Sequence, residues 1–342
     1  MAGTYEGRLR TGYDFPGPHQ GNFCSNGIIT ADRKQTPKLA QVKAVQAWIK
    51  FELVGVDAKA NTATINIKNT YDFINTADHT LRYEIVKNGH IVTKGRQVMP
   101  VIEVDGQATV TLPLEGVVLK NAAKAGEEIM INLFAEQDKA TVWSEAGHEV
   151  ASTQFELNAR PATLAVIKVD KKAEKLAVED TEKTLKVGNK AIAAVFCKET
   201  GVMTSLKFNG QEIINGKDGF MYDNYRFIEN DRSCKPGNGL DSIGTCEIVP
   251  NTKGGSVLVK TTRGGKLASQ VILYTFLPDG TVTMDVTLTP QAKELRRAGL
   301  VANINPGLRN VNYWAYGPDE NYNDRKESTM VGRYQTTVDD MV

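Results

Sequence analysis

Ala47-Trp48-Ile49-Lys50-Phe51-Glu52-Leu53 is the stretch that decides the fold. Ala47, Ile49, Phe51 and Leu53 alternate with Trp48, Lys50 and Glu52, the period of two that gives a β-strand one buried face. Immediately upstream the period is helical: Pro37 is a good first helical residue, and Leu39, Val42 and Val45 fall three apart between Lys38 and Gln46, enough for one short helix. A β domain therefore begins at Ala47. Alternation returns at Ala63/Ile65/Ile67, Leu81/Tyr83/Ile85, Ala108/Val110/Leu112 and Ile129/Ile131/Leu133, and Asn88-Gly89 supplies a positive-φ hairpin turn. Six or seven short strands in about 110 residues predict an immunoglobulin-like sandwich. Residues 1–36, rich in Gly, Pro, Asp and Asn and without a sustained period, read as loop that something else must support.

Beyond the sandwich, Lys168 to Lys186 is charged and poor in apolar residues, so it buries little surface and marks a domain junction near its start. Strand signals resume with Ala191 to Phe196, a hairpin around Asn209-Gly210, Val257/Val259, Val271/Leu273, and Val282/Met284/Val286/Leu288 after the Pro278-Asp279-Gly280 turn. The second domain is predicted to be all β as well.

Bulk properties narrow the partners. The formal net charge is +1, from 41 Lys+Arg against 40 Asp+Glu, so there is no global field to attract nucleic acid or an anionic membrane; sugars and protein surfaces suit this chain better. No apolar run approaches the roughly 20 residues of a membrane helix. Cys24, Cys197, Cys234 and Cys246 form no CxxC and no zinc spacing with histidine, and they read as reduced and mostly buried; Cys234 and Cys246, twelve positions apart, are the pair that could bridge.

Constellations for chemistry are sparse. The Gly-Gly pairs at 254–255 and 264–265 lack the strand–loop–helix setting of a phosphate loop and read as turns. Ser144, Glu145 and His148 lie within five residues, but neighbours on one strand point to opposite faces and triads assemble from distant segments, so this stretch reads as a structural turn. Trp48 and Trp314 could stack on sugar faces or pack in a core.

The remaining motifs carry a family resemblance. Gly12-Tyr13-Asp14-Phe15, Asn22-Phe23-Cys24-Ser25-Asn26-Gly27-Ile28-Ile29, Ala31-Asp32-Arg33 and Pro37 resemble the end of the catalytic barrel in family 2 β-galactosidases. In the family's order follow Ala140-Thr141-Val142-Trp143-Ser144-Glu145-Ala146-Gly147-His148, then Phe196 with Thr200-Gly201 and Ser205, then Gly317-Pro318, Glu320-Asn321-Tyr322 and Asp324-Arg325. The resemblance implies a mainly β chain in three parts. Residues 1–46 would be a remnant of the (β/α)8 barrel end with a linker helix, 47–160 the immunoglobulin-like sandwich, and 161–342 the first part of a large, galactose-mutarotase-like β-sandwich.

A glycosidase places two carboxylates across the scissile bond. The resemblance puts both catalytic glutamates upstream of residue 1 and both chain ends at truncations, so no catalytic residue is expected here. It implies a sodium ion at the sugar site held partly by the Phe23 carbonyl and the Asn26 side-chain oxygen, oxygen donors of the kind a hard cation takes, with a third ligand, an aspartate, absent. Magnesium is implied elsewhere in the parent. Arg226 to Arg232 resembles a segment near the active-site mouth, which makes Glu229, Asn230 and Asp231 a candidate substrate loop, although Glu229 stands where the family has Asp; solvated loop charge is the alternative.

The expected function is the non-catalytic C-terminal portion of a retaining β-galactosidase, shaping the site for terminal β-D-galactosides; a stand-alone carbohydrate-binding or docking module on the same scaffold is the alternative. Expected partners are galactosides and the remaining part of the enzyme. Exposed edges of a cut sandwich favour pairing, including homo-oligomerisation. The compartment, cytoplasmic or periplasmic in a bacterium, is not encoded in the residues present.

Overall fold

The computed structural model describes residues 4–5, 8–9, 16–18, 27–30, 32–159, 172–215, 219–224, 240–250, 255–291 and 297–341. The chain is mainly β and divides into two compact units, one of Met1–Val166 with Val311–Met341 and one of Ile167–Asn310. Near the N-terminus β1 (Thr4–Tyr5) pairs with β2 (Arg8–Leu9). Helix α1 (Pro37–Val45) starts at the predicted proline and has no buried residue.

The first unit contains β3 (Ile49–Asp57), β4 (Thr62–Asn69), β5 (His79–Lys87), β6 (His90–Val98), β7 (Gln107–Pro113), β8 (Ile129–Gln137) and β9 (Glu149–Glu156). Antiparallel sheets β3-β4-β7 and β6-β5-β8-β9 form the sandwich. The alternation that opens at Ala47 predicts the buried face correctly: Ile49 is buried and Ala47, Phe51 and Leu53 pack against the core. Ile65, Ile67, Leu81, Ile85, Leu112, Ile131 and Leu133 fill that core, and Asn88 (φ 51°) with Gly89 (φ 77°) makes the two-residue turn from β5 to β6.

The second unit contains β10 (Ala177–Asp180), β11 (Thr184–Gly188), β12 (Ile192–Cys197), β13 (Val202–Phe208), β14 (Gln211–Glu212), β15 (Met221–Asp223), β16 (Leu240–Val249), β17 (Val257–Gly265), β18 (Ala268–Phe276), β19 (Val282–Pro290) and β20 (Gly299–Val301). Sheets β10-β11-β12-β13-β14 and β16-β17-β18-β19 share a core of Leu185, Phe196, Val259, Ile272, Tyr274 and Phe276. The charged run from Lys168 to Lys186 supplies β10, an edge strand exposed on both faces, where backbone pairing needs no apolar side chain.

In β18 the buried parity is Ala268, Gln270, Ile272, Tyr274 and Phe276, while Val271 and Leu273 are half-buried. Both faces of this strand are apolar, and Gln270 joins the core face because its side chain accepts from Tyr222 N (2.6 Å) and donates to Phe220 O (3.1 Å). The last strands, β21 (Asn310–Gly317) and β22 (Met330–Thr337), pair with each other, and residues 311–341 fold with the first unit.

Candidate functional site

Phe23 and Asn26, the expected sodium ligands, and Glu229, Asn230 and Asp231, the expected substrate loop, lie outside the described residues. Among the described residues no group of three or more His, Cys, Asp or Glu could hold a metal ion. The motifs that are described reveal their roles through geometry.

Ser144 and His148 form a turn and no nucleophile–base pair. Thr141 N donates to Ser144 O (2.8 Å), the two hydroxyls lie 3.1 Å apart, and Ser144 Oγ bonds Gln137 Oε1 at 3.1 Å. His148 instead meets the Trp143 ring edge-on at 5.3 Å. The turn reading from sequence therefore holds.

The Phe196–Ser205 motif is a tight connection from β12 to β13. Phe196 is buried against Tyr274 (5.2 Å) and Phe276 (6.1 Å). Gly201 sits at φ +68°, and a Cβ there would lie 2.7 Å from Thr245 O, so this turn requires glycine. Ser205 Oγ donates to Glu212 (2.6 Å). Cys197 and Cys246 are both unbridged. Burial pushes the Cys246 thiol up to about 12, whereas the Thr200 hydroxyl beside Cys197 holds its pKa down.

The Gly317–Arg325 motif is the turn of the β21–β22 hairpin. Gly317-Pro318 is cis, Tyr313 Oη donates to Pro318 O (3.0 Å), Tyr322 and Arg325 exchange backbone bonds at 2.9 and 3.0 Å, and Arg325 pairs with Glu320 at 2.7 Å. The hairpin is fastened at three places, two on the sandwich and one on α1. Gln154 donates to Val331 O (2.9 Å) and accepts from Val331 N (2.8 Å), and Val331 packs on Val86 and Met130. Arg333 Nε donates to Asn88 O (2.9 Å), with its guanidinium 4.7 Å over the Trp314 ring. Glu327 accepts from the Gln41 amide of α1, which holds its carboxyl below the usual range.

Beside this apolar contact the outer face of β5 and β8 carries an ion network. Arg82 binds Glu136 and, at 3.0 Å, Glu84; Arg96 also binds Glu136; and the Arg82 guanidinium lies 3.6 Å over Phe134. Asn132 links Glu84 (3.3 Å) to Gln154 (2.8 Å), so this ion network continues to the hairpin.

Two of the motif stretches, through His148 and Asp319, meet at a cleft of about 530 Å³ lined also by Thr36 and Lys43 of the helix region, Glu149 at the start of β9, and Ser328 of the hairpin turn. Lys43 approaches Glu149 at 3.8 Å. Its side chains offer hydrogen bonds and charge pairing, and none of the described hydrogen bonds joins a nucleophile there to a base. Nothing in the local sequence flagged this cleft, because its walls come from three separated segments. Trp48 and Trp314, weighed as core or platform, are both about half exposed.

These observations define a class: a tandem β-sandwich chain whose motif residues fasten its elements together. Comparison with known proteins makes it specific. Residues 65–158 match the family described as beta-galactosidase, domain 4, and residues 188–342 match that described as beta galactosidase small chain. The β-galactosidase of Priestia megaterium is 28% identical over 341 residues, 95% of this chain and 31% of the relative. That of Lactobacillus delbrueckii subsp. bulgaricus is 27% identical over 351 residues, covering 97% and 32%, and that of Pseudoalteromonas haloplanktis 26% over 349, covering 93% and 33%. The chain thus spans about a third of the length of these relatives, and it corresponds to a C-terminal portion of a large β-galactosidase, as the order of motifs implied.

Proposed function

We propose that this chain is the non-catalytic C-terminal portion of a retaining β-galactosidase acting on terminal β-D-galactosides, and that it shapes the sugar site formed with the upstream portion. The observation that carries this reading is the succession of two β-galactosidase domains along one chain, within an alignment that takes in 95% of it. In a retaining mechanism one carboxyl group protonates the leaving oxygen and a second forms the glycosyl-enzyme, the two standing about 5–5.5 Å apart. Such a pair belongs in this reading to the upstream portion.

This chain then contributes position. The Phe23 carbonyl and Asn26 amide oxygen supply two neutral donors to a sodium ion that upstream residues complete, and Glu229, Asn230 and Asp231 line the mouth of the site. Sodium bound there presents a fixed positive charge to sugar hydroxyls. Magnesium is assigned to the parent enzyme.

The test is aryl-β-galactoside hydrolysis by this chain alone, by the upstream portion alone, and by the full-length parent. Activity in the full-length parent only, or in the recombined portions, supports the reading. Turnover by this chain alone, or a full-length parent inert toward galactosides, overturns it. Replacing Asn26 with Ala in the full-length parent is expected to weaken sodium-induced changes in tryptophan fluorescence as well as activity.

A further inference from the structure

Two hairpin turns of this chain share the same two residues and have different surroundings. Asn88-Gly89 joins β5 to β6, and Asn209-Gly210 joins β13 to β14. In each turn both residues take positive φ, 51° and 77° in the first and 47° and 82° in the second. Asn-Gly is also a reactive pair. The glycine nitrogen, with no Cβ beside it to obstruct the approach, can attack the asparagine side-chain carbon whenever the turn lets the two atoms meet.

The first turn is fastened on every side. Asn88 Oδ1 accepts from Glu128 N (2.9 Å), Asn88 O from Arg333 Nε (2.9 Å) and Gly89 O from Arg333 N (3.3 Å). Both residues are half-buried, and a Cβ added at Gly89 would lie 2.8–2.9 Å from Arg333 and Trp314, so the space beside the turn is filled. The second turn is open. Asn209 and Gly210 are exposed, and a Cβ added at Gly210 would meet nothing within 4 Å. Among the described residues no hydrogen bond engages the Asn209 side chain or the Gly210 N–H. The bond that does hold this turn, from Asn209 N to Ala191 O at 2.9 Å, uses a group that the reaction leaves intact. Strand β14 is two residues long at the edge of its sheet, where local opening costs least.

We propose that Asn209 is a modification site, converting to aspartate and isoaspartate in the folded protein while Asn88 is held unreacted. The Gly210 nitrogen forms a bond to Asn209 Cγ, the Cγ–Nδ2 bond breaks, and Nδ2 leaves as ammonia with the proton from Gly210. Water then opens the resulting cyclic imide. Attack at Cγ gives aspartate; attack at the main-chain carbonyl of residue 209 gives isoaspartate, in which the chain runs through the former side chain. Water is the sole co-reactant, and nothing is oxidised or reduced. Either product places a negative charge on the turn. Isoaspartate also lengthens the main chain by a methylene, which a two-residue turn absorbs only by disturbing the pairing it sets. That disturbance falls on Glu212 of β14, which accepts from Ser205 Oγ (2.6 Å) and Leu206 N (2.8 Å).

The test ages the full chain in mildly alkaline buffer, digests it at mildly acidic pH and follows both pairs by peptide mass spectrometry, fragment ions separating Asn209 from Asn215 in the same tryptic peptide. Asn209 is expected to react at least about tenfold faster than Asn88, and the two rates to converge within about twofold in concentrated urea, where the folded surroundings are gone. Equal rates in the folded chain, a faster Asn88, or a difference that persists in urea overturns the proposal. Arg333→Ala, which removes the Nε bond to Asn88 O, is expected to raise the Asn88 rate at least about threefold and leave that of Asn209 unchanged. A variant that melts as the wild type does and shows no rise overturns the protection assigned to Arg333; if the variant fails to fold, the comparison of wild type with and without urea decides alone. Hydrogen exchange at the Leu206 amide should be faster in the aged chain than in the fresh one, and unchanged exchange in a sample rich in isoaspartate overturns the disturbance of β14.

Discussion

Gln154→Leu should release the β21–β22 hairpin from the sandwich without unfolding the sandwich. The Gln154 amide makes three hydrogen bonds, to Val331 O (2.9 Å), from Val331 N (2.8 Å) and to Asn132 Oδ1 (2.8 Å). Leucine fills a similar volume but leaves these groups unpartnered in a half-buried interface. An orphaned polar group costs about 1–3 kcal/mol when buried and less when water reaches it, so losing the clamp should cost about 2–4 kcal/mol of docking free energy. That corresponds to about a 30- to 1,000-fold rise in opening. Native-state hydrogen exchange reads it directly: the Val331 amide should lose protection by that factor, while Ile131, paired with Ile85 in the sandwich centre, keeps its own. Gln154→Glu retains the acceptor for Val331 N and should fall between. Protection of Val331 unchanged within threefold, or lost equally with Ile131, would refute the claim that this amide pair fastens a separable element.

Other substitutions probe the same physics. Gly89→Ala forces a side chain into φ +77° and brings its Cβ within 2.8–2.9 Å of Arg333 and Trp314; a loss of about 1–3 kcal/mol in urea unfolding is expected. Glu136→Gln removes the carboxylate that holds both Arg82 and Arg96, and breaking a largely buried pair from one side should cost about 3 kcal/mol. For Cys246 the thiol is protonated in both states below its ordinary pKa of 9.0, and between there and about 12 only the unfolded chain ionises. Unfolding then releases a proton, so stability of the second unit falls as pH rises above 9, by up to about 1.4 kcal/mol per pH unit; urea midpoints from pH 8 to 11 should show a steeper decline for wild type than for Cys246→Ala.

What the sequence disclosed and what it withheld follow from range. Ala47 to Leu53 could be read because alternation within seven residues reports both the strand and its buried face, and Asn88-Gly89 because the turn chemistry is local. In β18 the strand was legible but its buried face was not: Val271 and Leu273 are as apolar as Ile272 and Tyr274, and the deciding residue is Gln270, whose partners at 220 and 222 lie about fifty positions away. The seating of the terminal hairpin was illegible for the same reason, since Gln154 and Val331 are separated by 177 positions. For Phe23, Asn26 and Glu229 to Asp231 the sequence discloses donor chemistry, while their geometry lies outside the described residues.

The described motifs also bear on how a resemblance should be used. Read as words, Ser144-Glu145-Ala146-Gly147-His148 invites a catalytic role and Gly317 to Arg325 carries a family resemblance; in space they are a loop turn and a hairpin turn, and Gly201 is a close approach of two backbones. Residues that hold separated segments together are constrained by several partners at once, so they generate recognisable patterns as strongly as chemistry does. A function carried over from such patterns is a statement about shared architecture. It becomes one about catalysis only through groups that reach the sugar, a role that the reading proposed above gives to Phe23 and Asn26, whose oxygen donors suit a bound cation, and to Glu229, Asn230 and Asp231.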